Sequence, residues 1–335
     1  MSAPNPQAAF VHVTAAEAAR MAIEEAMAAD PTVIALGEEV ADPEGGGIRK
    51  VTKGLSTRFG SDRVKSTPIS EQAIMGAAVG AAIAGMRPVA EIMLMNFLTL
   101  ALDQLINHAA KLRYMSGGAT SVPLTVRTMT GAGRSLGGQH SDMVEAWLAH
   151  TPGLKVVVPS TPADYKGLLY ACIFDDDPCV FIENSIQLSA RGDVPVGTHI
   201  IPLGKANIVR PGSDVTVIGY GRPMDDVKKV AEKLAGEGVS VEVIDLRSIV
   251  PLDDETILTS VGKTKRAVIV HEAVRSFGVG AEIAARIHEH LFGELAAPVQ
   301  RLGMPYAPVP FSSALEKSML WSPDKIEASI RNTLG

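Results

Sequence analysis

The sequence predicts an α/β fold in two parts, the first built on a parallel sheet. Three observations carry this. Short apolar runs bounded by turn residues alternate with helical stretches through residues 14–183. The alternation pauses across a Gly- and Pro-rich stretch, 191–212, and starts again at Asp214. The chain has 335 residues, enough for two domains of ordinary size. The expected division is a first domain over 1–190, a linker over 191–212 and a second domain over 213–335.

Taken in order, residues 1–12 read as a loose arm. Thr14 to Asp30 reads as an amphipathic helix with Ala18, Met21, Ala22, Ile23 and Met27 toward the core. Val33 to Leu36 is a buried strand stopped at Gly37-Glu38-Glu39. Pro43 to Gly47 is glycine-rich but matches no phosphate loop, so it reads as a surface turn. Arg87 to Met93 is a strand, and Phe97 to Tyr114 is a long helix with Asp103, Asn107 and Lys111 on one side. Val122 to Arg127 is a strand, followed by the glycine-rich loop Thr130 to Ser141, near whose end stands His140. Loops of this length in compact domains are usually functional or disordered. Leu154–Pro159 and Cys179–Glu183 are strands flanking a helix over Pro162–Phe174. In the second part, Val215–Ile218, Val241–Ile244 and Ala267–Val270 are strands, and Asp225–Glu237 and Gly280–Leu291 are helices.

The most informative stretch is Ser66 to Pro88. Ser70 is placed to cap a helix that begins at Glu71. From Ala73 to Met86 there is no charge and no side-chain amide, so this helix is expected to be buried all round. It is too short to span a bilayer. Gly76, Gly80 and Ala84 recur at i, i+4 and i+8 and leave one face nearly bare backbone, open to close approach by another helix. At its mouth stands one carboxylate, Glu71. Alone it would read as a first-turn acid favoured by the helix dipole; held among apolar walls, a carboxyl is also able to share a proton.

Composition narrows the function. Hydrophobic residues make up 46% and charged residues 20%, a globular balance. A net charge of −6 argues against a nucleic-acid partner, which would call for a basic patch. The only cysteines, Cys172 and Cys179, form no disulfide framework and have no metal-ligand spacing, which fits a reducing, cytoplasmic setting. The N-terminal MSAPNPQAAF has no basic region followed by an apolar core, so no secretory signal is expected. No apolar run has the length of a membrane helix, so no membrane partner is expected.

Several separate blocks then agree. Thr67-Pro68-Ile69-Ser70-Glu71, with Gly76-Ala77-Ala78-Val79-Gly80 following, resembles the pattern of thiamine-diphosphate enzymes. Together with Arg87-Pro88, Asn96-Phe97, Asp103-Gln104, Tyr114 to Gly118, Gln139-His140-Ser141, Pro152 to Val157, Asp245-Leu246-Arg247 and Pro251-Leu252, it resembles one family over nearly the whole chain. That family is the beta subunit of the first, decarboxylating component of 2-oxo acid dehydrogenase complexes, with pyruvate, branched-chain and acetoin versions. The resemblance implies a transketolase-like pyrimidine domain followed by a transketolase-like C-terminal α/β domain. It implies thiamine diphosphate shared with an alpha subunit that holds the diphosphate and magnesium, in an alpha2beta2 heterotetramer. This sequence has no Gly-Asp-Gly followed at a distance by an Asn, the metal-binding pattern expected of the other chain. The C-terminal domain, by the same resemblance, helps build the tetramer and docks the lipoyl acyltransferase core.

The resemblance also implies roles. Glu71 stands where the family's glutamate meets the cofactor's aminopyrimidine, and a carboxyl beside N1′ favours the imino form needed for deprotonation at C2. Phe97 matches the aromatic residue that stacks on the pyrimidine, and Ile69 would pack near the same ring. Glu38 matches an acid in the tunnel that links the two active sites. His140 matches a histidine that faces substrate and assists acyl transfer to the lipoyl arm, a task suited to imidazole near neutral pH. Leu124, Cys172, Asp175 and Asp177 align with positions that offer oxygens to a structural potassium ion in some members; the acidic run Asp175–Asp177 equally suits a solvated helix end.

The substrate stays open at this point between a 2-oxo acid such as pyruvate and acetoin. Two other classes are opposed by particular residues. A nicotinamide oxidoreductase would use Gly219-Tyr220-Gly221, with Asp245 on the ribose, but the third glycine is missing and Pro223 stands where the helix opens. A non-catalytic scaffold of the same fold would have no need of Glu71 and His140.

Overall fold

A computed structural model describes residues 9–335. The expected N-terminal arm and the absence of a secretory signal fall partly outside the described residues. From Phe10 the chain is not an arm: Phe10–Thr14 is a strand, paired antiparallel with Arg191–Pro195. The stretch read as a linker is thereby corrected. It carries that partner strand and a second one, Asn207–Arg210. The chain forms two compact units, one of residues up to 129 with 151–203 and the other of 130–150 with 204–335. The segment 130–150, with its glycine-rich loop, thus groups with the C-terminal residues.

In the first unit a sheet runs, in spatial order, through Lys155–Val157, Cys179–Asn184, Thr125–Thr130, Arg87–Leu94, Val33–Gly37 and Val64–Ser66. Arg87–Leu94 pairs parallel with both Val33–Gly37 and Thr125–Thr130, and Val33–Gly37 pairs parallel with Val64–Ser66. The third strand starts later than the sequence suggests, at Thr125, because Pro123 has no amide for the ladder. Helix Ala15–Ala29 begins at a capping box: the Thr14 hydroxyl accepts from the Glu17 amide, and the Glu17 carboxylate accepts from the Thr14 amide at 2.7 Å. Its buried alanines let it pack against helix Pro162–Ile173, which opens with the same device at Thr161 and Asp164.

The central helix spans Glu71–Ile83 as expected, but Ser70 makes no side-chain cap bond. At φ −164°, ψ 84° it contributes its carbonyl instead, accepting from the Ile74 amide at 2.9 Å. Burial is one-sided rather than complete. Ile74, Met75, Ala78, Val79 and Ala82 are buried, whereas Ala73, Ala77, Gly80, Ile83 and Ala84 are exposed, because strand Arg87–Leu94 and the helical run from Phe97 cover one side only. That run is not one regular helix: Phe97–Ala101 is 3₁₀, Asp103–Ala109 is π and Ala110–Met115 is α. The expected polar side is present, with Asn107 donating to Asp103 at 2.8 Å and Lys111 to Asn107 at 3.0 Å.

The second unit has parallel strands Gln300–Met304, Ala267–Val274, Val215–Gly219 and Val241–Asp245 in spatial order, with Asn207–Arg210 antiparallel at the far edge. Helices Pro223–Ala235 and Pro323–Leu334 pack on this sheet around Val217, Val227, Val243, Ile326 and Ile330. Pro223 occupies the first turn, where its missing N–H costs nothing. The sequence reading passed over helices Asp254–Thr264 and Pro323–Leu334 and strand Gln300–Met304.

Beneath the first sheet lies a buried charge cluster. Arg127, 2% exposed, donates through Nε and one terminal nitrogen to Glu183 at 2.8 and 2.9 Å, and through the other to Glu91 at 2.6 Å. The three residues come from three neighbouring strands. Burial pushes the Glu183 carboxyl above its usual range; Arg127 opposes the shift and Glu91 adds to it. Removing one partner of such a cluster strands a buried charge, at a cost of about 3–5 kcal/mol. Arg127→Met should therefore lower stability by about that amount at pH 8 in denaturant unfolding. Without the guanidinium to oppose it, burial raises the Glu183 carboxyl further and favours its protonated form as pH falls. The folded state then binds the extra proton, so the loss should shrink at pH 5. An equal loss at both pH values would contradict this account.

Candidate active site

Ligands of open parallel sheets gather at the carboxyl ends of the strands. In the first unit three adjacent strands end there in candidate residues. Val33–Gly37 is followed by Glu38, Val64–Ser66 leads through Ile69 to Glu71, and Arg87–Leu94 leads to Phe97. The backbone ties two of these exits together, with the Thr67 amide donating to the Gly37 carbonyl at 2.9 Å. Glu71 is 8% exposed, and among the described residues no donor reaches its carboxylate. Its oxygens are not among the fully sealed ones, so with no protein donor they are left open at this edge to water or to a ligand. Glu38, half-buried, has its carboxyl pushed above the usual range, first by burial and then by the negative charges of Glu71, Glu39 and Glu91. Phe97 is half-buried at the start of the segment that packs on the Glu71 helix. Ile69 is 82% exposed on the approach to that helix.

The four positions considered for potassium share one patch of the first unit. The Cys179 amide donates to the Leu124 carbonyl at 2.8 Å, the Cys179 thiol lies 3.5 Å from the Asp177 carbonyl, and the Asp175 amide donates to the Cys172 carbonyl at 3.2 Å. The carboxylates already have cations: Lys155 reaches Asp175 at 2.6 Å and Arg113 reaches Asp177 at 2.8 Å. The oxygens left for an ion are backbone carbonyls, and Arg87 donates to that of Asp175 at 3.0 Å.

His140 belongs to the second unit, half-buried at the end of a 3₁₀ turn, Gly138–His140, with its amide donating to the Gly137 carbonyl at 3.2 Å. In the same unit lies a buried polar group that the sequence reading did not anticipate. The Tyr220 hydroxyl donates to Glu145 at 2.7 Å, and the ring of Tyr220 stacks on His271 at 6.2 Å between centroids. Burial raises the Glu145 carboxyl to about 7 and lowers the His271 imidazole to about 4. The glycines weighed for a nucleotide do not form an open cradle. A Cβ on Gly219 would lie 2.8 Å from the Met224 sulfur and 2.9 Å from the Val270 carbonyl, so the chain itself fills that space. Asp245 accepts from the Arg247 amide at 3.2 Å and closes a local turn.

Comparison with known proteins shows the family. The transketolase pyrimidine-binding domain matches residues 12–189, and the transketolase C-terminal domain matches 204–326. The beta subunit of acetoin:2,6-dichlorophenolindophenol oxidoreductase from Cupriavidus necator is 44% identical over 321 residues, covering 93% of this chain and 95% of that one. The pyruvate dehydrogenase E1 component subunit beta from Porphyra purpurea is 43% identical over 316 residues, covering 94% and 95%. The chain belongs to the beta-subunit family of the 2-oxo acid and acetoin dehydrogenases. Its fold is that of a transketolase: a split-gene transketolase, described as an inactive beta4 tetramer, superposes with a TM-score of 0.78 at 20% identity over 96% of this chain and 98% of the other.

The structure brings Glu38, Glu71 and Phe97, which the sequence analysis singled out one by one through the resemblance, to one sheet edge, and it adds a charge cluster that the sequence analysis missed. Glu91, Arg127 and Glu183 are each the charge inside a strand read as buried, and buried charges are almost always paired. That was the available signal. Glu145 had no comparable signal, because its partner Tyr220 is 75 residues away.

Glu145 makes a pH prediction. Its folded carboxyl titrates near 7, against 4.5 when unperturbed. The folded chain therefore holds a proton that the unfolded chain has released. Stability should fall as pH rises from about 4.5 to about 7 and be flat above, a difference of about 3 kcal/mol at most. Glu145→Gln keeps an acceptor for Tyr220 and removes the proton. In urea unfolding it should match the parent at pH 5 and exceed it at pH 8. A variant less stable at both pH values would refute the assignment.

Proposed function

We propose that this chain supplies the pyrimidine side of a thiamine diphosphate site. With an alpha subunit it would decarboxylate a 2-oxo acid and pass the acyl group to the lipoyl arm of an acyltransferase core. The observation that carries this is Glu71: a buried carboxylate, without a donor among the described residues, at the helix mouth on the carboxyl edge of a parallel sheet. When bound, thiamine diphosphate supplies an acidic ring carbon that adds to a carbonyl and holds the electron pair left by carbon–carbon cleavage. The protein's part is position and proton management. Glu71 would hold a proton against the pyrimidine nitrogen. Phe97 would present its face to the ring, with Ile69 at its edge. Glu38, its carboxyl raised first by burial and then by its acidic neighbours, would share in proton exchange from the same edge. His140 would hand protons to and from the acyl acceptor.

The rest of the assembly is placed elsewhere. In this reading the diphosphate and its magnesium sit on the alpha subunit of an alpha2beta2 tetramer. The uncovered face of the central helix supports a neighbouring chain: a Cβ on Gly80 would meet nothing within 4 Å, and Ile83 is 48% exposed. The carbonyls of Leu124, Cys172, Asp175 and Asp177 retain second lone pairs for a potassium ion. Acetoin is the second reading for the substrate, supported by the 44% identity to the beta subunit from Cupriavidus necator. Residues 9–335 form no helix long and apolar enough to cross a membrane, which is consistent with a cytoplasmic complex.

Glu71→Gln tests the reading. Assembled with its alpha subunit, the variant should fold and form the tetramer, bind thiamine diphosphate more weakly, and lose activity with pyruvate by at least the 10²–10⁴-fold typical of a lost acid–base group. Hydrogen–deuterium exchange at C2 of the bound cofactor should slow in parallel. Glu39→Gln, at an exposed neighbour, should be much milder. Normal C2 exchange in Glu71→Gln would remove Glu71 from the site.

A further inference from the structure

The loop that carries His140 is held by two buried carboxylates of the second unit. Glu272 accepts from the Ala132 amide at 2.7 Å. Glu316 accepts from the amides of Gly133 at 2.7 Å and Ser135 at 2.9 Å, with the Ser135 hydroxyl at 3.4 Å. Both acids are nearly inaccessible, at 2% and 3% exposure. Arg222 takes the opposite polarity of the same backbone, donating to the Ala132 carbonyl at 2.7 Å while its guanidinium lies 5.0 Å from the ring centre of Trp321. The far side of the loop is fitted to the chain as well. A Cβ on Gly137 would fall 2.5 Å from the ring of Phe311, and one on Gly138 would fall 3.4 Å from Pro308. The conformation needs such support. Gly131, Gly133 and Gly137 have φ of 121°, 107° and 73°, and Ser135, with a side chain, is held at 56°. A non-glycine residue there persists only where its surroundings fix it.

We propose that Glu316 and Glu272 are positioning residues for His140, so that the C-terminal unit sets the catalytic geometry of a loop that follows a strand of the first unit. The clamp works by charge-assisted hydrogen bonds to successive backbone amides, which orient a peptide more tightly than neutral acceptors do. It spans residues 132–135, and the 3₁₀ turn ending at His140 begins three residues on, at Gly138, after Leu136 and Gly137. A small displacement of a reacting group costs up to about 100-fold in rate. The inference rests on the catalytic reading of His140 given above.

The test is a double-mutant comparison in the assembled holoenzyme with thiamine diphosphate. Glu316→Gln keeps the side-chain shape but turns one acceptor into a donor facing the loop amides. It should lower kcat about 10–100-fold with little change in KM or in cofactor affinity. Amide hydrogen exchange should quicken locally over residues 131–136. In an His140→Ala background the same change should cost nothing further, because residues that act through one group are not additive. Glu272→Gln is the second variant, with the same expectation, and takes the place of Glu316→Gln if that chain folds poorly. An additive loss in the double variant, or unchanged kcat with both clamp variants, would overturn the proposal. A wild-type rate for His140→Ala alone would overturn the reading of His140 and the positioning role with it.

Discussion

The first unit depends on a charge that has nowhere else to go. Arg127 is buried in the middle of a parallel sheet, and Glu183 and Glu91 are the acids that neutralise it. Each belongs to a different strand, so the guanidinium fixes three strands relative to one another, with Glu91 directly across from Arg127 in the ladder. A one-residue slip would turn these side chains to the other face and leave the cluster unpaired. The exits of those strands carry segments of the proposed site: Phe97 follows the strand of Glu91, and the His140 loop follows the strand of Arg127. A precise site on loops needs a rigid base, and this cluster supplies one.

The two halves of the proposed chemistry are prepared in opposite ways. Glu71 is positioned and then left without a donor among the described residues, so its carboxyl is open to a ligand. The loop before His140 is fastened at the amides of Ala132, Gly133 and Ser135, with carboxylates, an arginine and a fitted aromatic ring holding its backbone. An acid that must exchange a proton gains from the missing partner. A histidine on a glycine-rich loop gains from the added ones, since glycine otherwise gives the loop freedom that catalysis cannot use.

Much of this was legible in the sequence. The alternation of apolar runs with helical stretches located the strands, and the start of the central helix at Glu71 emerged from the change to an uncharged run. The errors have physical reasons. Ser70 was read as a cap from its residue type, but capping depends on backbone angles too, and at φ −164°, ψ 84° its side chain makes no cap bond. The central helix was expected to be buried all round, yet one chain covers only one side of it. The linker looked irregular because its glycines and prolines conceal two short strands whose partners lie far away in sequence, at Phe10–Thr14 and Val241–Asp245. The clamp on the His140 loop was invisible for the same reason, since Glu316 and Ser135 are 181 residues apart.

The central claim is that the Glu71 carboxylate meets a pyrimidine nitrogen of thiamine diphosphate. The most direct measurement is a crystal structure of the chain assembled with its alpha subunit and loaded with the cofactor. The account predicts a Glu71 carboxylate oxygen within hydrogen-bond reach of the pyrimidine, about 2.6–3.2 Å, with the ring beside Phe97. A pyrimidine bound elsewhere, or a Glu71 satisfied by a protein donor in the loaded state, would contradict it.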